Sequence, residues 1–213
     1  VTCILIVAGT LLLFLFEQGG KVFEGKSTGE QLLCSAFQSV SPRTAGFNTV
    51  DLPSLREASL FLIICLMLIG GSTGSTAGGM KTTTLAVLFL SIGATFRRKK
   101  SIECFGRRMD DDTLRTASCV MMLYLGLTIL SALLVSSVES LPLLTALFET
   151  SSAIATVGLS LGVTPTISAL SEVVLTLLMI FGRVGSITIL LAFASNRMGA
   201  PVSKLPLEKV QIG

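Results

Sequence analysis

The chain has 213 residues, 51% of them hydrophobic and 14% charged, with a net charge of +3 and a mean hydropathy of +0.81. That apolar content exceeds what one soluble core needs and points to a membrane protein. Histidine is absent, which sets aside a histidine-based hydrolase or a zinc site, and the five cysteines (Cys3, Cys34, Cys65, Cys104, Cys119) form no C-x-x-C pair and read as small hydrophobes.

The first apolar run covers Val1 to Phe16. It is slightly short of the roughly 20 residues a spanning helix needs. It also has no initiator Met and no basic flank, which argues against a signal peptide. The chain is therefore expected to start partway through a longer protein. A polar stretch follows from Glu17 to Gly29, then a short segment from Glu30 to Ser41 that cannot cross a bilayer. Immediately after it comes Ser41-Pro42-Arg43-Thr44-Ala45-Gly46-Phe47-Asn48-Thr49.

The second apolar run, Ala58 to Phe96, would be about 58 Å long as one helix, roughly twice the hydrocarbon thickness. It is interrupted by Gly70-Gly71-Ser72-Thr73-Gly74-Ser75-Thr76-Ala77-Gly78-Gly79. A glycine density of this kind disfavours a continuous helix, so the run is expected to break at membrane depth. Irregular backbone there is tolerated only inside protein or along a water-filled path. A phosphate-loop reading of Gly74 to Gly79 fails, because Met80 stands where Lys is required and no strand precedes it.

A basic loop follows, with Arg97-Arg98-Lys99-Lys100 and Arg107-Arg108. The third run is Thr113 to Val138. A short segment, Leu141 to Ile154, leads into Ala155-Thr156-Val157-Gly158-Leu159-Ser160, and the fourth run is Ser168 to Ala194. The tail carries Arg197, Lys204 and Lys209. With four spans, the 97–112 loop, the start of the third span and the tail share one side. That side holds ten of the sixteen Lys and Arg residues, so it is expected to be cytoplasmic and the short segments to face outward. Lys21, Lys26, Arg43 and Arg56 lie opposite, and Lys81 and Arg183 fall at membrane depth.

The order of span, short helix, glycine-bearing loop and span occurs twice. Phe37-Gln38-Ser39-Val40-Ser41 parallels Phe148-Glu149-Thr150-Ser151-Ser152, offset by 111, and Thr44-Ala45-Gly46-Phe47-Asn48 parallels Thr156-Val157-Gly158-Leu159-Ser160, offset by 112. Two copies of the same in–out sense make a parallel repeat about the membrane normal, the symmetry of a pore. The expected fold is an all-α membrane protein of two tandem helix–pore-loop–helix repeats, half of a pseudo-fourfold pore. Its parts are 1–100 with a broken second span, a basic loop at 101–112, 113–196, and a tail at 197–213.

A dehydrated potassium ion needs its water shell replaced by oxygens, and rings of backbone carbonyls supply them. Gly46 and Gly158 are placed to turn carbonyls toward an axis without a Cβ clash. The short helices would aim their partly negative C-terminal ends at the ion path.

The stretch from Phe37 to Thr49 resembles the third pore segment of the Trk/Ktr/HKT superfamily of potassium transporters, nearest to its KtrB-type subunits. The 70–81 segment resembles that family's intramembrane gating loop, Thr156-Val157-Gly158-Leu159 its fourth filter, and Phe181-Gly182-Arg183-Val184-Gly185 its fourth inner helix. The resemblance covers essentially the whole chain. It implies potassium uptake, without enzymatic chemistry or a covalent cofactor. The filter would be Thr44 to Asn48 and Thr156 to Ser160, holding potassium by backbone carbonyls. The gate would be residues 70 to 79 together with Arg183. Arg183 is read either as a fixed charge below the filter or as a structural or snorkelling residue. Lys81 is read either as a cavity residue or as snorkelling. Arg43 is either an electrostatic element of the mouth or a tie to backbone carbonyls, and Asn48 and Asp51 either attract cations or are simply solvated. The family pattern further implies sodium as an activator, the remaining repeats from a missing N-terminal half or other chains, a homodimer, and a cytosolic nucleotide-binding RCK (KTN) ring. The surround is lipid of the plasma membrane, and nucleic acid is not an expected partner. The rival reading is a non-conducting structural or regulatory membrane subunit.

Overall fold

The computed structural model describes residues 1–72, 74–75, 77–98, 103–104 and 107–184. Thr73 and Thr76 of the expected gate, Gly185, and the tail with Arg197, Lys204 and Lys209 lie outside the described residues.

Among the described residues seven α-helices carry the fold: α1 (Thr2–Phe16), α2 (Thr28–Val40), α3 (Glu57–Leu68), α4 (Thr82–Phe96), α5 (Asp111–Glu139), α6 (Leu143–Ile154) and α7 (Ala169–Val184). Between α4 and α5 a minimal antiparallel ladder pairs β1 (Glu103–Cys104) with β2 (Arg107–Arg108), a small departure from an all-helical chain. Of the described helices, the Asp112–Glu139 stretch is long and apolar enough to cross a bilayer alone; α1, α3, α4 and α6 are shorter apolar helices.

Local chemistry sets several boundaries. Helix α2 starts two residues earlier than the apolar pattern suggests because Ser27 and Glu30 close a capping box. The Ser27 backbone amide, and secondarily its hydroxyl, hold the Glu30 carboxyl below its ordinary pKa. The second apolar run breaks between Leu68 and Thr82. The break is pinched shut at its base: Ile69 and Met80 form an isolated parallel bridge, Met80 N donates to Leu68 O at 3.0 Å, and Thr82 N donates to Gly71 O at 3.2 Å. The chain therefore leaves the helical path and returns at nearly the same level.

Helix α2 packs on α1, α4 on α5, and α6 is held by α3, α5 and α7. The core lies where α3 meets α6, around Ile63, Met67, Phe148 and Ile154, each fully buried. Tyr124 of α5 meets Phe181 of α7 edge-on, with ring centroids 6.0 Å apart. Large apolar side chains point outward along α1, α4 and α5: Ile4 is 71% exposed, Phe96 85% and Met122 70%. These faces suit lipid or further helices.

Two local features of the first half recur in the second. A 3-10 turn with Pro precedes the third helix both times, Leu52-Pro53-Ser54 before α3 and Thr164-Pro165-Thr166 before α7. A glutamate at the end of the first helix of each set caps the start of the third. Glu17 Oε1 accepts from Arg56 N at 2.9 Å and from Ser59 Oγ at 2.5 Å. Glu139 Oε1 accepts from Ser168 N at 2.9 Å and from the Ser168 and Ser171 hydroxyls at 2.5 Å each. Arg56 and Ser168, and likewise Ser59 and Ser171, are 112 residues apart. Each carboxylate satisfies donors that a helix N-terminus leaves open.

Candidate functional site

The two glycine-bearing turns follow α2 and α6 directly. In each, Thr and Gly adopt left-handed backbone with one ordinary residue between them: Thr44 at φ 68° and Gly46 at φ 76°, Thr156 at φ 52° and Gly158 at φ 90°. A threonine with positive φ costs about 1–3 kcal/mol and persists only where its surroundings impose it. The turns are imposed by the helix ends. Ala45 N and Gly46 N both donate to Ser41 O, at 3.1 and 3.2 Å, and Val157 N donates to Ser152 O at 2.9 Å. Between equivalent donors, Ala45 N reaches back four residues to Ser41 O and Val157 N five residues to Ser152 O, so the one extra residue of the second copy is absorbed here. Alternating hand gathers amides on one side of the backbone. The Phe47 carbonyl is engaged separately, accepting from Ser41 Oγ.

The two turns touch. A Cβ placed on Gly46 would stand 2.3 Å from Val157 O. The equivalent position on Gly158 meets nothing within 4 Å among the described residues. That open side belongs to a cavity of about 530 Å³, lined among others by Thr156, Val157, Gly158, Ser160 and Arg183. Arg183 and the second turn thus share one space.

The broken span reaches the same place. A Cβ on Gly78 would lie 2.3 Å from Thr156 Oγ1 and 2.5 Å from Ala155 O, and one on Gly182 of α7 would lie 1.9 Å from Ile154 O. Both glycines let backbone pack against the C-terminal end of α6. Gly70 closes on Gly78 within the loop, where a Cβ would stand 2.0 Å from Gly78 O. Lys81 folds back over this loop, its Nζ donating to Ser75 O at 3.0 Å and to Ala77 O at 2.7 Å. Ser72 Oγ meets Thr2 Oγ1 of α1 at 3.0 Å. Of the remaining expected site residues, Gly71 and Gly79 flank the pinch, and a Cβ on Gly74, at φ 86°, would meet nothing within 4 Å among the described residues.

Around the first turn, the buried Nε and Nη2 of Arg43 have no hydrogen-bond partner among the described residues. Asn48 Nδ2 donates to Val50 O at 3.2 Å, and Asp51 accepts from Ser54 Oγ.

Sequence reasoning passed over Glu149. It is 6% exposed on α6. Its Oε1 accepts from Ser160 Oγ and Leu161 N at 2.8 Å each, and its Oε2 accepts from Thr164 Oγ1 at 3.0 Å. The one charged residue of this short helix was the available signal.

Comparison with known proteins gives a consistent picture. The family model for TrkH, described as a cation transport protein, matches residues 1–199. The potassium/sodium uptake protein NtpJ of Enterococcus hirae is 36% identical over 100% of this chain and 48% of its own length. The Ktr system potassium uptake protein B of Vibrio alginolyticus is 35% identical over 100% of this chain and 46% of its own. The crystal structure of the potassium transporter TrkH from Vibrio parahaemolyticus matches the fold with a TM-score of 0.76, at 22% identity, over 90% of this chain and 42% of that one. The chain spans about half the length of the relatives it matches.

Proposed function

This chain belongs to the TrkH family of cation transport proteins, and from that premise we propose that it forms half of a potassium-selective pore. The observation that carries the reading is the pair of left-handed T-x-G turns, each closing on the end of a short helix, that meet at Gly46 and Val157. Carbonyls of Thr44 to Asn48 and of Thr156 to Ser160, excepting any drawn back into the protein, replace the water shell of the ion. Its selectivity follows from how closely they are held.

Passage is downhill and gated. Gly78 of the proposed gating loop lies against the end of α6, and Arg183 adds a fixed positive charge in the cavity beside it. Together they oppose a cation below the filter until the loop moves. The bond pattern of Lys81 makes it part of the loop's hold.

The pore is a ring of four such units, of which this chain supplies the third and fourth, bounded at 1–100 and 113–196. The clear space beside Gly158 is where another unit's turn would pack, as Val157 packs on Gly46. The basic 97–112 loop and the tail face the cytoplasm of a cell whose plasma membrane holds the protein. A homodimer, a cytosolic RCK ring and activation by sodium complete the proposed assembly.

The test is potassium uptake by the full-length protein in cells lacking their own uptake systems, with and without Gly46→Ser plus Gly158→Ser. Selective uptake that loses selectivity in the double variant supports the pore and its filter together. Uptake indifferent to both glycines rejects the filter, and no uptake at all favours a non-conducting subunit.

A further inference from the structure

We infer that Glu149 is a positioning residue for ion discrimination, a buried carboxylate that fixes the chain leaving the second filter turn, and that the first turn has no counterpart. The inference rests on the filter reading above.

Glu149 sits one and a half turns before the end of α6 and reaches back toward the outgoing chain. Three donors converge on its two oxygens: Ser160 Oγ, Leu161 N and Thr164 Oγ1. The network closes on itself. Ser160 Oγ lies 2.8 Å from Thr164 Oγ1 and accepts from Gly162 N at 2.9 Å. The carboxylate thereby joins the pore helix to a backbone amide and two hydroxyls between two and six residues beyond Gly158. Hydrogen bonds to a buried carboxylate are short and directional, and buried networks rigidify what they join.

The first half differs at this position. Gln38 stands 111 residues before Glu149, at the same place on its helix. It is 3% exposed, and both its Oε1 and Nε2 lack partners among the described residues. The first turn is held instead by Ser41, through its backbone carbonyl and through its hydroxyl on Phe47 O. Pseudo-symmetric turns thus rest on unlike supports. A carbonyl filter discriminates by the positions its oxygens can keep, so loosening the pinned turn should cost potassium its advantage over sodium before it costs transport.

The experiment uses the full-length transporter in cells lacking their own potassium uptake. It reads membrane abundance, the half-saturation concentration for potassium, maximal rate, and competition by sodium. Glu149→Ala is expected to lower discrimination against sodium by about threefold to tenfold, the scale of one or two net hydrogen bonds, with normal abundance. Glu149→Gln keeps an acceptor for Ser160 and Leu161 and should restore most of that loss. Should Glu149→Ala fail to reach the membrane, Ser160→Ala and Thr164→Val each remove one donor and should shift discrimination the same way. Gln38→Ala should leave discrimination unchanged. The inference is overturned if the Glu149, Ser160 and Thr164 variants all discriminate like the parent. It is equally overturned if Gln38→Ala matches Glu149→Ala, since the effect would then be helix packing in general. Gly158→Ser, measured alongside, separates the two readings: if it relaxes selectivity while Glu149→Ala does not, only the positioning role fails; if neither does, the filter reading fails.

Discussion

Gly46 has no room for a side chain because the Val157 carbonyl occupies it: a Cβ there would stand 2.3 Å from that oxygen. The residue also holds φ at 76°, so alanine meets both a backbone clash and a strained conformation. Gly46→Ala is expected to displace the second turn as well as the first, lowering potassium preference in uptake competition. A variant that competes with sodium like the parent would show that the contact is incidental.

Gly78 lies against Thr156 and Ala155, so a methyl group there pushes the loop away from the end of α6. Gly78→Ala is expected to raise basal potassium flux in the full-length protein. Lys81→Met removes the two bonds from Nζ to Ser75 O and Ala77 O and should act in the same direction. Reduced flux in both variants would contradict a loop that blocks from this position.

Arg183 shares the cavity with Thr156, Val157 and Gly158. On the proposed reading it is a fixed cation near the ion path, which would oppose potassium, the more so away from water. Arg183→Ala is expected to raise basal flux, measured as uptake without activating conditions, and a fall or no change would remove Arg183 from the gate.

Glu17 is 1% exposed and serves Arg56 N and Ser59 Oγ, which is itself fully buried. Glu17→Ala leaves these donors unpaired and should lower stability by about 2 kcal/mol, read as a lower Tm of the detergent-solubilised protein. Glu139→Ala removes the matching cap from a more exposed position, and a smaller shift is expected. An equal or larger fall for Glu139→Ala would mean that burial does not set the worth of the clasp.

The sequence by itself determined the membrane class, the break near residue 70, the short helices and the T-x-G turns. These are readable because hydrophobic run length, glycine density and tripeptide spacing are local properties. The family followed from the same motifs. The sequence also carried the one-residue shift between the copies, although its meaning, four residues from Ala45 N back to Ser41 O against five from Val157 N back to Ser152 O, needed coordinates.

The tertiary structure alone decided which residues meet. Nothing in the spacing says that Gly46 abuts Val157, that Gly78 and Gly182 converge on the end of α6, or that Lys81 turns back onto its own loop. The clasps of Glu17 and Glu139, and the three donors on Glu149, join residues 11 to 42 positions apart. Contacts of that kind depend on where helices cross. A crossing is set by the packing of whole faces rather than by any one segment's periodicity, and so the composition that announces a membrane helix is silent about its neighbours.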